Sequence, residues 1–182
     1  MVPCHMTWHE ECESLSEGLE SLQSGMGRLS FMLLLVEDNP ADVVLLREAL
    51  KESPIPVEFC TVPDGTDALA FLQHEDRYRE APRPDLIVLD LNLPRKSGHE
   101  VLAQVKSDTT LKSIPVVVLT SSSEPEDVEQ SYELGANAYV QKPLGLEEYF
   151  ATIKDLVGFW CQRAVLPSEG NEDLLGTGSK LH

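Results

Sequence analysis

The sequence predicts an α/β domain built as a doubly wound parallel sheet of five strands with five helices. Three observations carry that expectation. Apolar runs of strand length recur along the chain: "FMLLLV" (31–36), "VEFCTV" (57–62), "LIVLD" (86–90), "PVVVLT" (115–120) and "AYVQK" (138–142). Each is followed by a segment with helical spacing of its apolar residues. Most of the strand runs are continuous rather than alternating, the pattern of strands covered by helices on both faces.

The elements follow in order. Residues 1–30 are a polar N-terminal extension in which Leu15, Leu19, Leu22 and Met26 recur at helical spacing. Glycines and serines weaken that helix, so a short helix and an unstructured extension are both compatible with it. The domain occupies 31–163. After the first strand, Asn39 caps a helix with Pro40 at its first position, and "ADVVLLREALKES" runs on until Pro54 stops it. "DGTDALAFLQHE" (64–75) is the second helix and "GHEVLAQVKS" (98–107) the third. Ser123 and Glu126 are spaced as a capping box ahead of "PEDVEQSYELG", which Gly135 ends. The last helix, "LEEYFATIKDLVGFW", lines Leu146, Tyr149, Phe150, Ile153, Leu156, Val157 and Trp160 along one face. Residues 164–182 hold few large apolar groups and read as a flexible C-terminal tail.

Composition narrows the function. Acidic residues outnumber basic ones 31 to 14, giving a net charge of −17. A nucleic-acid-binding domain needs a basic face, and an anionic membrane repels such a surface. The start of the chain carries Glu10, Glu11 and Glu13 where a signal peptide needs basic and then apolar residues. With no long apolar span, a cytoplasmic protein is expected. Of the four cysteines, Cys60 and Cys161 read as buried thiols, and no disulfide framework is evident.

The binding crevice of such a sheet lies at the carboxyl ends of its strands. There the sequence places Glu37 and Asp38, then Asp90, then Thr120, then Lys142 followed by Pro143. A carboxylate ending a buried strand is costly unless something pairs with it. Carboxylates brought close raise one another's pKa, and a divalent cation such as Mg²⁺ with oxygen ligands relieves the conflict. One carboxylate can then attack a phosphoryl group while a lysine and a hydroxyl hold its oxygens. Each residue alone has an ordinary explanation as a turn, strand or surface residue. The joint pattern at successive strand ends does not.

The segments "LLVEDNP", "LIVLDLNLPRKSG", "VVVLTSSS" and "GANAYVQKPL" resemble the response-regulator receiver domains of two-component signalling. The resemblance covers about 31–160, and the long "LDLNLPRKSG" loop is similar to the small regulators that partner phytochrome kinases. It implies a flavodoxin-like strand order of 2-1-3-4-5 and a protein that is not an enzyme in the ordinary sense. It implies that Asp90 accepts the phosphoryl group and that Mg²⁺ is held by Asp38, Asp90, the backbone carbonyl of Asn92 and Glu37. Lys142 and Thr120 would hold phosphoryl oxygens, and Tyr139 would turn with Thr120 as a switch. Asn92 and Ser122 would tune the lifetime of the modification, and the Lys142–Pro143 bond would be cis. The implied partners are a sensor histidine kinase, of phytochrome type on the loop resemblance, and a downstream protein target. A phosphorelay to a histidine phosphotransfer protein is an open alternative. Phe159, Trp160, Cys161, Val165 and Leu166 offer a homodimer contact or cover the domain's own core. A dehalogenase-type phosphohydrolase is disfavoured because the acid it needs two residues after the nucleophile is Asn92 here.

Overall fold

The structure is a computed structural model and describes residues 12–14, 31–51 and 56–167. Its strands are β1 (Cys12–Ser14), β2 (Phe31–Val36), β3 (Val57–Val62), β4 (Leu86–Leu89), β5 (Val116–Thr120) and β6 (Ala138–Gln141). Its helices are α1 (Pro40–Lys51), α2 (Gly65–Leu72), α3 (Gly98–Ser107), α4 (Pro125–Glu133) and α5 (Leu146–Gln162). The sheet order is β1-β3-β2-β4-β5-β6. Strands β2 to β6 are parallel throughout, so the five expected strands lie in the expected order 2-1-3-4-5.

One strand was not expected. β1 pairs antiparallel with β3, setting Cys12 opposite Cys60 and Ser14 opposite Glu58. Three residues, "CES", carry no apolar periodicity for a sequence reading to detect. Cys60 is disulfide-bonded, which corrects its reading as a buried free thiol, whereas Cys161 is free and half-buried. The candidate helix through Leu19 and Leu22 lies outside the described residues, as does most of the C-terminal tail.

The strands form elements for the reason their sequences suggest. β2, β4 and β5 are buried almost throughout, and two apolar clusters lie on opposite faces of the sheet. On one side Leu69, Phe71, Val101, Leu102 and Val105 of α2 and α3 meet Leu34, Val36 and Ile87. On the other, Leu46, Leu50, Tyr149, Ile153 and Val157 of α1 and α5 meet Leu33, Leu35, Val88 and Val117. Leu146, expected on the buried face of α5, is 56 % exposed because it opens the helix ahead of its first packed turn.

Local chemistry sets the helix starts. The Asn39 side chain accepts from the Ala41 amide at 3.0 Å, as its capping role requires. Ser97 and Glu100 form a reciprocal capping box on α3. The box expected at Ser123 and Glu126 does not form. Glu124 occupies the cap position of α4, with Pro125 following, and makes no side-chain cap bond. The nearby Ser122 hydroxyl is drawn instead to Asp127 Oδ2, at 2.5 Å. α2 stops at Leu72, short of Glu75, because His74 adopts a φ of 56°, outside the helical region. A 3₁₀ turn, Asp76–Tyr78, follows and buries Tyr78.

The turn after β4 is built on Gly98. A Cβ there would lie 2.3 Å from the Asp90 carbonyl oxygen and 2.6 Å from Leu91 Cα, both backbone atoms. Gly98→Ala is expected to cost about 3 kcal/mol, an overpacking effect read as a lowered urea midpoint. A cost below about 0.5 kcal/mol, the range of an ordinary surface change, would mean the turn yields freely.

Candidate phosphoryl-transfer site

The site lies where the chain leaves the carboxyl ends of the parallel strands. β2 delivers Glu37 and Asp38, β4 delivers Asp90, β5 ends in Thr120, and β6 runs into Lys142. Lys142 is placed by its own amide, which donates to the Thr120 carbonyl at 2.7 Å and extends the ladder by one bond. Among the described residues every peptide bond is trans, Lys142–Pro143 included, so the expected cis bond is corrected. The intrinsic preference of an X–Pro bond is already for trans.

The ammonium of Lys142 is the centre of the arrangement. It donates to Glu37 Oε2, Asp42 Oδ2 and Asp90 Oδ2, each at 2.7 Å. An ammonium has three hydrogens, so all three are engaged. The Lys142 side chain is 10 % exposed, and those of Glu37 and Asp90 are 2 % and 6 %. Asp42 is the wettest partner, at 22 %.

The carboxylates respond in opposite directions. Burial pushes Glu37 up to about 7, with the Lys142 hydrogen bond and charge opposing it only in part. Burial would raise Asp90 as well, but there the Lys142 hydrogen bond and charge prevail. The Asn92 amide and the Thr120 hydroxyl add to them, and Asp90 ends below the usual carboxylate range. Burial works against the charge of Lys142, yet its bonds to Asp42, Asp90 and Glu37 outweigh this and raise it. Of the two buried carboxylates, Asp90 is therefore the one held ionised, the state a nucleophile needs.

The shift of Glu37 has a testable sign. Its folded pKa lies above the ordinary value, so the stability it contributes is fully present below about pH 4.5 and is lost as pH rises through about 7. With metal chelated, Glu37→Gln should gain on wild type between pH 5 and pH 8 by on the order of 3 kcal/mol in urea unfolding. A gap constant across that window would show that Glu37 does not titrate there.

Of the other expected residues, Asn92 and Thr120 act directly on Asp90. Asn92 donates its amide to Asp90 Oδ1 at 3.1 Å, and its side chain is exposed. Asp38 is exposed at the rim. Thr120 is fully buried, its hydroxyl accepts from the Ser122 amide at 3.4 Å, and it helps to lower the Asp90 carboxyl. The half-buried Tyr139 donates its hydroxyl to the Ser122 carbonyl at 3.0 Å, which ties β6 to the loop after β5. Two residues escaped the sequence reading. Asp42 lies one turn beyond Asp38, a spacing that would have placed both near the same strand end. Tyr149, 4 % exposed at the start of α5, has its hydroxyl pKa raised by burial and by the charge of Asp42.

The metal donors available are all oxygen: Glu37, Asp38, Asp90 and the Asn92 carbonyl. Among the described residues no group of three or more Asp, Glu, His or Cys side chains is placed to hold a metal ion by itself. A partial oxygen set completed by water is what Mg²⁺ takes, so the residues present fit such an ion.

A doubly wound sheet with an ionised aspartate, a lysine and a hydroxyl at its carboxyl edge defines a phosphoacceptor domain of the signalling type. The chain belongs to the response regulator receiver domain family, whose pattern it matches over residues 33–154. It is 47 % identical to the response regulator Rcp1 of Synechocystis over 137 residues, 75 % of this chain and 93 % of Rcp1. It superposes on the phosphorylated cyanobacterial phytochrome response regulator RcpA with a TM-score of 0.74 at 50 % identity, covering 76 % of this chain and 99 % of RcpA. The Mn²⁺-bound form of Rcp1 gives a TM-score of 0.73 at 47 % identity, with the same 76 % and 99 % covered. Among the described residues no helix is long and apolar enough to cross a membrane.

Proposed function

We propose that Asp90 takes a phosphoryl group from a phosphohistidine of a sensor kinase of phytochrome type. An Asp90 carboxylate oxygen forms the new O–P bond as the N–P bond to histidine breaks. The observation that carries this reading is the burial of Asp90 at the end of β4, 2.7 Å from Lys142, where that charge together with the Asn92 amide and the Thr120 hydroxyl holds its carboxyl below the usual range. The kinase type is supported by likeness to Rcp1 and to the phytochrome response regulator RcpA.

Mg²⁺ would be held by Asp38, Asp90 and the Asn92 carbonyl, with Glu37 direct or through water. When bound, the ion neutralises the negative charge that builds between phosphoryl oxygens and carboxylate. Lys142 turns from a carboxylate partner to a phosphoryl oxygen, and Thr120 donates its hydroxyl to another. Tyr139 follows Thr120 and reshapes the face of α4, β6 and α5, which a downstream protein reads. Asn92 and Ser122 at the mouth govern how readily water reaches the acyl phosphate. The protein acts in the cytoplasm and as a homodimer. Phe159 and Val165, 54 % and 98 % exposed, supply the apolar contact, while Trp160 and Cys161 pack largely on the domain's own core.

The test is intact-mass analysis after incubation with Mg²⁺ and acetyl phosphate. One added phosphoryl group that hydroxylamine removes, the mark of an acyl phosphate, is expected. A folded protein that gains nothing from either acetyl phosphate or a phosphorylated kinase would overturn the reading.

A further inference from the structure

The loop between β4 and α3 is fastened at its middle to the neighbouring strand–helix unit. Arg95, at the crest of this loop, has a φ of 65°, a left-handed conformation unfavourable for a side chain of its kind. Its guanidinium pairs with Asp64 Oδ2 and lies 3.3 Å from Asp67 Oδ1. Asp64 is 4 % exposed and serves two groups at once. Its Oδ1 caps α2 by accepting from the Thr66 and Asp67 amides at 2.8 and 2.9 Å, which leaves Oδ2 for the guanidinium. Arg77 holds the other oxygen of Asp67 at 3.0 Å. The loop backbone is also close: a Cβ on Gly65 would lie 2.5 Å from the Lys96 carbonyl oxygen. At the other end, the Asn92 amide bonds Asp90 Oδ1 and the Gly98 amide bonds the Leu91 carbonyl, at 3.1 and 2.9 Å.

A backbone held outside its preferred region persists where its surroundings over-determine it. Here the surroundings are a buried carboxylate that α2 already orients and a guanidinium that reaches two carboxylates together. We propose that Arg95 and Asp64 are positioning residues of the phosphoacceptor site: their ion pair fixes the loop so that the backbone of Asn92 stays turned towards Asp90. The inference rests on the reading of Asp90 given above. It makes the crevice depend on two residues that touch neither the phosphoryl group nor the cation. It also assigns a role to Asp64, the carboxylate after β3, the one parallel strand among the described residues that sends no reacting group into the crevice.

Three variants test it. Arg95→Gly removes the guanidinium while relieving the left-handed backbone, so loss of fold is not expected. Asp64→Asn keeps a capping oxygen for α2 and removes the charge. Arg95→Lys keeps the charge without the planar fork. The readouts are the Mn²⁺ dissociation constant of the unphosphorylated protein by calorimetry and the rate of phosphoryl gain from acetyl phosphate. Arg95→Gly and Asp64→Asn should each weaken Mn²⁺ binding about tenfold, the scale of losing a residue that orients a ligand. The double variant should be no weaker than the worse single, and Arg95→Lys should recover part of the loss. Unchanged affinity and rate in a folded Arg95→Gly protein would overturn the proposal. If wild type gains no phosphoryl group while Arg95→Gly and Asp64→Asn still weaken Mn²⁺ binding, the clasp stands and the reading of Asp90 as acceptor falls.

Discussion

Asp90→Asn is expected to remain folded and to gain no phosphoryl group under conditions in which wild type should gain one. The amide oxygen of Asn lacks the charge that makes the Asp90 carboxylate a nucleophile, and its nitrogen is no substitute. Folding survives because the change removes one of three carboxylates facing Lys142, leaving Glu37 and Asp42 to hold the ammonium. Intact mass with Mg²⁺ and acetyl phosphate gives the readout, with circular dichroism as the folding control. The outcome also discriminates among acceptors. Glu37 is pushed up to about 7 by burial and is in part protonated near neutrality, so it is a poor replacement. A phosphoryl group retained in the Asn variant would move the acceptor to Asp38 or Asp42.

Lys142→Met carries the largest expected effect on stability. Methionine fills a similar volume but leaves the buried Glu37 and Asp90 without their cation. Breaking a buried pair from one side costs about 3–5 kcal/mol. That loss should appear in full at pH 8 with chelator present. In wild type the pKa of Asp90 is lowered, so the stability it contributes is present above its ordinary value of 3.8 and is lost as pH falls through the folded pKa. In the Met variant both carboxylates take up protons more readily. The gap between the two proteins should therefore narrow as pH is lowered towards 4. Added Mg²⁺ should raise the melting temperature of the variant more than that of wild type. A variant as stable as wild type at pH 8 would mean that water, and not Lys142, satisfies these carboxylates.

The sheet and the strand-end residues were legible because each rests on a strong local signal. Continuous apolar runs in β2, β4 and β5 predict burial on both faces, and the residue ending each run then lies on the same sheet edge. What escaped depends on contacts distant in sequence. Asp42 joins Lys142 across 100 residues, and Asp64 meets Arg95 only because the β4–α3 loop folds back over α2. Neither contact leaves a periodic trace. The start of α4 on Pro125 was legible, but Glu124 and not Ser123 takes the cap position, so the spacing of Ser123 and Glu126 forms no capping box. β1 is too short and too polar to be read, and its pairing is decided by the exposed edge of β3 that it covers.

The three engaged hydrogens of Lys142 make the site an exchange and not an accumulator. An ammonium with no hydrogen to spare can bond a phosphoryl oxygen only by letting a carboxylate go. On the reading proposed above, arrival of the group would exchange one charge-assisted bond of Lys142 for another. Of the three partners, Asp42 is the one most open to water and the one carried by a helix rather than a strand end. On that reading, a phosphoryl group on Asp90 would therefore be felt at the first turn of α1, through Asp42.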